Sequence, residues 1–358
     1  MTMRADAARV PWREFQKEIA NDHYFYVRSC IRQNFFPGAE EAFIKILRDD
    51  LGKDLFTDPS HTTCTGIGYH TDLVKMETTM TVIARQFALM TEKGYKNLIV
   101  SCVTSFGLYS EILDMWDHSP GLENEIRDYL REATGREFAR PDNMVHSSDI
   151  MYKFRNEIAG KARYTLTDRL NKKPLRVVDH IGCHYSKMFP ERGVGGAEYP
   201  QVLSGLVESL GGEIIDYPER RHCCGFGFRQ YLLKTSRGYS LSNSYRKLKS
   251  MQPYEPDLII TNCPGCNMFL DRWQYVASEM KGETFGKDGM GIPVLTYEEV
   301  AALCLGYDPW DIGLQMHQVS VEPLLDKMGV EYDPGKKYTD KDGNALSRPR
   351  IPEMLKVY

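Results

Sequence analysis

Hydrophobic and polar positions along the chain fall into two similar series. Short runs rich in β-branched and aromatic residues, His23–Val27 and Asn97–Val100 in the first half and Arg176–Asp179 and Asp257–Thr261 in the second, have the composition of strands. Between them lie segments with apolar residues at helical spacing: Ala42, Phe43, Ile46 and Leu47 within Ala39–Leu51, and Val202, Leu203, Leu206 and Val207 within Glu198–Leu210. Ordinary core packing against a sheet accounts for both stripes. Gly52 and Gly211-Gly212 stand where these helices should end. Strands separated by helices imply parallel βαβ units, so each half is expected to form a small α/β layer.

The cysteines show that the two series are one pattern written twice. The first copy runs FYVRSC (Cys30), GAEEAFIKILRDDLG, HTTCTGIG (Cys64) and NLIVSCVTS (Cys102); the second runs VVDHIGC (Cys183), GAEYPQVLSGLVESLGG, RHCCGFGF (Cys223, Cys224) and DLIITNCPGC (Cys263, Cys266). Cys224 lies 160 residues after Cys64 and Cys263 lies 161 after Cys102, so the register barely drifts. In this alignment Thr63 occupies the place of Cys223 and Ser105 that of Cys266. Each cysteine group follows a strand, and ligands of open α/β sheets gather beyond the strands' carboxyl ends, where separate loops converge.

The connector Leu108–Lys173 reads as mainly helical and polar, broken at Pro141-Asp142-Asn143 and ending in the basic stretch Arg169–Lys173. The expected organisation is a first unit over residues 1–145, including an N-terminal extension, a second over 146–330, and a tail over 331–358. That tail, with its KKYTDKDGNALSRPR segment, is too poor in apolar residues for a core of its own and is expected to order on a partner.

Composition narrows the function. A chain of 358 residues with 42% hydrophobic content suits two domains. A net charge of -4, with 45 basic residues scattered along the chain, gives none of the basic footprint of a nucleic-acid binder. The N-terminal stretch lacks the apolar core of a secretory signal, and no run approaches the ~18 apolar residues of a transmembrane helix, so a soluble cytoplasmic protein is expected. Nine cysteines in such a compartment point to metal or redox chemistry over structural disulfides.

The second copy offers five thiols. A structural zinc site uses four ligands and would leave one over, whereas iron–sulfur assemblies distribute thiolates over several irons. CPGC alone could be a thioredoxin-like redox pair, but three further cysteines stand in register with it. The ferredoxin run C-x2-C-x2-C-x3-C-P is absent, so electrons must pass through a partner.

These motifs, with Cys-Cys-Gly at 223–225, resemble the cysteine-rich CCG domain found twice in the B-type subunit of heterodisulfide reductases. The resemblance extends over DHIGCHYSKMFP, ERRHCCGFGF, IITNCPGCNMFLD and the late IGLQMHQVSVEPLLDKMG. It implies a duplicated α/β fold and a noncubane [4Fe-4S] cluster held by Cys183, Cys223, Cys224, Cys263 and Cys266. It also implies two-electron interconversion of a disulfide and two thiols, with a small ferredoxin-like subunit (C-type) and a flavin-bearing subunit (A-type) for partners.

The first copy departs from that pattern. Cys30, Cys64 and Cys102 remain, and a hydroxyl at Thr63 or Ser105 is a poor soft-metal ligand. A smaller or cubane iron–sulfur cluster and no metal rank level there, with zinc completed by His61 or His70 behind them. Losing one of two clusters argues against symmetric disulfide cleavage and favours the relatives that oxidise carrier-bound sulfur in sulfur oxidation. Two other readings are carried: a non-catalytic relay or scaffold subunit, and a CCG subunit of a respiratory dehydrogenase.

His184 and His222 flank the ligand loops and are candidates to give a proton to a departing thiolate, although packing beside the site explains each as well. Lys187, Arg192, Arg221 and Arg229 could attract an anionic substrate or serve as surface charges, the latter being preferred for Arg192. Cys304, within EEVAALCLG, is read as a buried inert thiol.

Overall fold

Each half builds one four-stranded, all-parallel sheet. The computed structural model describes residues 19–61, 66–189, 193–194, 200–227 and 235–333. In the first half β1 (Tyr24–Val27), β2 (Leu55–Phe56), β3 (Asn97–Val100) and β4 (Asn143–His146) lie in the order β2-β1-β3-β4. In the second, β5 (Arg176–His180), β6 (Glu213–Ile214), β7 (Leu258–Thr261) and β8 (Val294–Thr296) lie in the corresponding order β6-β5-β7-β8. The α/β class and the pseudo-repeat expected from the sequence are therefore observed. The central strands carry most of the pairing, from Tyr24 opposite Asn97 to Val27 opposite Val100, and from Val177 opposite Leu258 to His180 opposite Thr261.

The helical stripes cover these sheets as their spacing predicts: Ala42, Phe43, Ile46, Leu47, Val202, Leu203, Leu206 and Val207 are all buried. The first of these helices is α-helical over Pro37–Lys45 and finishes in a π-helical turn, Ile46–Asp50; the second is described over Val202–Ser209. Gly52 and Gly211 have left-handed backbone just beyond them.

The connector needs correction. It is helical over Pro120–Thr134, Ser147–Lys153 and Arg155–Lys161, but it also contributes β4, which completes the first sheet. Asn-Met-Val-His lies at the sheet edge with its first two residues only partly buried, so it lacks the apolar run that marks β3, which has the same length. β8, also at a sheet edge, has three residues and gives too short a run to mark a strand.

The helices that follow the fourth strands cross to the opposite half. Ser147–Lys153 packs against Val202–Ser209, and Tyr297–Leu305 packs against Pro37–Lys45. Both start with a capping box, in which the carboxylate three residues on accepts the backbone N–H of the cap. Asp149 serves His146 at 2.9 Å, and Glu299 serves Thr296 at 2.7 Å. The duplication thus survives in hydrogen bonding as well as in topology.

Buried polar pairs pin the seam. Arg32, from the helix Cys30–Phe35, forms an ion pair with Glu298, both wholly buried, and its guanidinium lies over the ring of Tyr297. Tyr297 in turn shares a 2.5 Å hydrogen bond with Ser147. Elsewhere in the seam Tyr185 donates to Asp149. No helix among the described residues is long and apolar enough to cross a membrane. The expected tail falls almost wholly on residues 334–358, outside the described residues; Tyr332, just before them, stacks on Trp310 with ring centroids 6.2 Å apart.

Candidate metal centre

Loops beyond the carboxyl ends of β5, β6 and β7 bring the second-half cysteines together. Cys183 opens the short helix after β5, Cys223 and Cys224 lie in the loop after β6, and Cys263 caps the helix Pro264–Lys281 after β7, with Cys266 in its first turn. Pro264 at the first helical position loses no hydrogen bond, because that N–H has no intrahelical acceptor.

Specific contacts draw these loops close. Asn262, buried beside Cys263, accepts the N–H of Gly182 at 2.9 Å, tying the first ligand loop to the third. A Cβ at Gly182 would lie 2.8 Å from that of Cys263 and 2.7 Å from Val103, so only glycine permits the approach. The glycine of Cys-Cys-Gly is fixed by conformation as well as space: Gly225 has φ +98°, and a Cβ there would meet the carbonyl of Ser240 at 2.2 Å. Ser244 donates to the carbonyl of Cys224 at 2.5 Å. The same loop is anchored below by Arg220, whose fork binds the buried carboxylate of Asp179 at 2.5 and 2.7 Å.

The resulting cluster is dense in sulfur. The Sγ atoms of Cys224 and Cys266 are 3.2 Å apart and those of Cys183 and Cys223 are 4.0 Å apart, yet all five residues are free thiols. Shared protons split their acidities. Hydrogen bonds from Cys183 and Cys224, with the N–H of Gly225 at 3.3 Å, pull Cys223 below the ordinary thiol range. Cys263 is lowered by Cys266 and by backbone N–H groups at the helix start. Cys183 is raised chiefly by sharing its proton with Cys223, Cys224 chiefly by burial, and Cys266 by its two sulfur neighbours. Five thiolates packed this tightly repel one another unless positive charge is supplied. A soft, five-donor set, three of its members buried and two half-buried, fits a multi-iron assembly, whereas tetrahedral zinc would leave one thiolate uncompensated.

Two further residues complete the surroundings, and the motifs did not single out either. Lys247 is wholly buried, donates to Tyr217 and Arg220 at 3.1 Å each and to the Glu219 carbonyl, and lies close enough to Cys224 and Cys266 to feel their charge. Burial pushes it down to about 8 against the opposing pull of those sulfurs. His180 ends β5, and one of its ring nitrogens and the Sγ atoms of Cys224 and Cys266 lie within 4.8 Å of one another. The spacing signal, HxxC before the first ligand, was present in the sequence but indistinct from a core histidine.

The candidate proton-handling histidines separate. His184 is half-buried with Nδ1 3.9 Å from the Cys183 sulfur, and its ring lies 4.7 Å from that of His70. Burial, then the neighbouring His70, lowers it to about 4. His222 is exposed, and its ring pairs with Glu219. Lys187 and Arg221 are exposed, while Arg192 and Arg229 lie outside the described residues. Cys304 is buried in the helix Tyr297–Leu305, and desolvation pushes its thiol up to about 12, as an inert core residue requires.

In the first half Cys30 opens the helix Cys30–Phe35 and Cys102 caps the helix Val103–His118, both half-buried, while Thr63 and Cys64 lie outside the described residues. Ser105 is in the first turn of the second of these helices. His61 does not suit the zinc alternative. Its Nε2 accepts the N–H of Arg28 at 2.5 Å and its Nδ1 donates to the carbonyl of Asp58 at 2.6 Å, so the backbone occupies both nitrogens. His70 is turned to His184 across the seam.

Comparison with known proteins agrees with this architecture. Residues 177–271 match the CCG cysteine-rich domain. The chain is 27% identical over 312 residues to the B-type subunit of the ferredoxin:CoB-CoM heterodisulfide reductase of Methanosarcina acetivorans, covering 85% of this chain and 95% of that one. A protein of Archaeoglobus profundus that is likewise similar to the B-type subunit of heterodisulfide reductase is 29% identical over 234 residues, 64% of this chain and 73% of that relative. A crystal structure of a hypothetical protein from Helicobacter pylori superposes with a TM-score of 0.61 at 13% identity, over 86% of this chain and 55% of that one, which supports the fold. Residues 177–271 thus match a CCG domain, and the chain as a whole is similar to the B-type subunit of heterodisulfide reductases.

Proposed function

We propose that this chain is the sulfur-handling subunit of a heterodisulfide-reductase-like complex, with its reactive centre at an iron–sulfur cluster held by Cys183, Cys223, Cys224, Cys263 and Cys266. The convergence of five unoxidised thiols from three loops, three of them buried and two half-buried, supports this reading. A noncubane [4Fe-4S] cluster would supply electron transfer and iron sites able to bind sulfur. The chain's own residues hold that group, with Asn262 and Gly182 locking the loops together and Lys247 placing a cation beside the thiolates.

The reaction is the interconversion of a disulfide with two thiols: the S–S bond breaks on taking up two electrons and two protons, or forms with their release. The chain has no ferredoxin run, so the electrons pass to or from a ferredoxin-like subunit and, beyond it, a flavin-bearing one. His184, with Nδ1 3.9 Å from the Cys183 sulfur, would exchange a proton with substrate sulfur, while His222 is exposed and paired with Glu219. With two thiols fewer in the first half, the substrate favoured is a carrier-bound sulfur oxidised at one centre.

Anaerobic purification followed by iron and sulfide analysis, with electron paramagnetic resonance after addition of an oxidised thiol, tests the proposal. Bound iron and a new signal on adding the thiol are expected; protein free of iron would refute it. The reduced ligand set of the first half supports a second reading, a relay subunit without its own chemistry. Undiminished activity of the intact complex carrying Cys183→Ser would select it.

A further inference from the structure

His180 is 1% exposed, and neither ring nitrogen has a hydrogen-bond partner. That condition is costly for a buried imidazole. Of the buried histidines described, it is the one that lacks a partner at both nitrogens: His61 commits both to backbone, His146 bonds Ser148 at 2.7 Å, and His317 bonds Glu299 at 3.0 Å. What His180 does face is sulfur, since a ring nitrogen and the Sγ atoms of Cys224 and Cys266 fall within 4.8 Å of one another. Its backbone is fixed in the pairing of β5 with β7, opposite Thr261, so the ring is aimed from a rigid strand.

The repeat supplies an independent comparison. His180 stands three residues before Cys183, and the residue three before Cys30 is Val27, likewise the last residue of its strand. The half with fewer thiols has an apolar side chain where the half with five has a buried donor. Core packing alone does not explain the difference, because a valine at the β5 position would fill the strand end without leaving two nitrogens unpaired.

We infer that His180 is a positioning residue of the centre, donating an N–H to the sulfur set held by Cys224 and Cys266. This rests on the proposed function, in which those sulfurs belong to an iron–sulfur cluster. An imidazole carries an N–H whether neutral or protonated, so the contact needs no titration. A hydrogen bond to sulfur stabilises the more electron-rich, reduced state, and such bonds set cluster potentials. His180 therefore raises the reduction potential of the centre and orients the Cys224 and Cys266 ligands.

The test uses the full chain, purified anaerobically as wild type, His180→Leu and His180→Gln. Iron per chain, the midpoint potential from a redox titration followed by electron paramagnetic resonance, and pulsed resonance on protein with 15N-labelled histidine are measured. Wild type is expected to show a weak 15N coupling of hydrogen-bonded size that both variants lose. His180→Leu is expected to shift the midpoint negative with iron retained, and His180→Gln, which keeps an N–H, to restore part of the shift. A His180→Leu protein with full iron and unchanged potential overturns the inference, as does a strong coupling from a directly bound nitrogen. Should His180→Leu lose its iron, the coupling in wild type decides alone. Wild type without iron overturns the proposed function and this inference together; iron-loaded wild type with neither coupling nor shift overturns this inference only.

Discussion

The two halves of this chain have the same backbone and different chemistry. Strand order, central register, the covering helix and the capping box after the fourth strand all recur. The ligand loops do not: one half keeps five thiols, a buried histidine and a buried lysine, and the other has Thr63, Ser105 and Val27 at the places of Cys223, Cys266 and His180. The difference teaches that the shared fold does not depend on which side chains stand in the ligand loops, since strand order and central register recur although those side chains differ.

The sharpest way to break the comparison is to remove a ligand from the intact site. Cys224→Ser is expected to abolish the C-terminal cluster, lowering anaerobic iron content to whatever the first half holds, with circular dichroism retained. Unchanged iron would mean that the metal resides elsewhere. The converse experiment rebuilds the eroded site. If the first half lost only its ligands, Thr63→Cys with Ser105→Cys should raise iron from about four towards about eight atoms per chain.

Next in size is the seam. Arg32→Met leaves Glu298 buried without its partner and is expected to cost about 3–5 kcal/mol, read from denaturant unfolding. The seam also holds the hydrogen bond from Tyr185 to Asp149. Burial raises Asp149 to about 7, against the opposing hydrogen bonds from Tyr185 and the His146 N–H. An acid whose folded pKa lies above its ordinary 3.8 favours folding when protonated, so its contribution is present at low pH and is lost as pH rises from near 4 through about 7. Asp149→Asn should flatten that part of the stability profile, measured by melting across this range. The smallest effect is expected from Cys304→Ala, which should leave iron content unchanged and cost about 1 kcal/mol as an ordinary core truncation.

Much of this could be read from the chain alone. β3 and the apolar stripes announce themselves by composition and spacing, and the five ligands by a frame repeated about 160 residues apart. β4 and β8 stayed hidden because three or four residues at a sheet edge carry too little pattern. His61 looked available as a zinc ligand because sequence does not show that Arg28 and Asp58 use its nitrogens.

What the sequence by itself determined is the duplication, the parallel α/β class, and which half retains a complete soft-metal donor set. These are properties of local periodicity and of residue identity at fixed spacing. Only the tertiary structure decided that the helices after β4 and β8 cross between halves, that Arg32 meets Glu298, that His184 meets His70, and that Lys247 and His180 reach the sulfurs. Each of those contacts joins residues whose separation along the chain carries no signal, because they are brought together by the packing of buried surfaces rather than by any local preference.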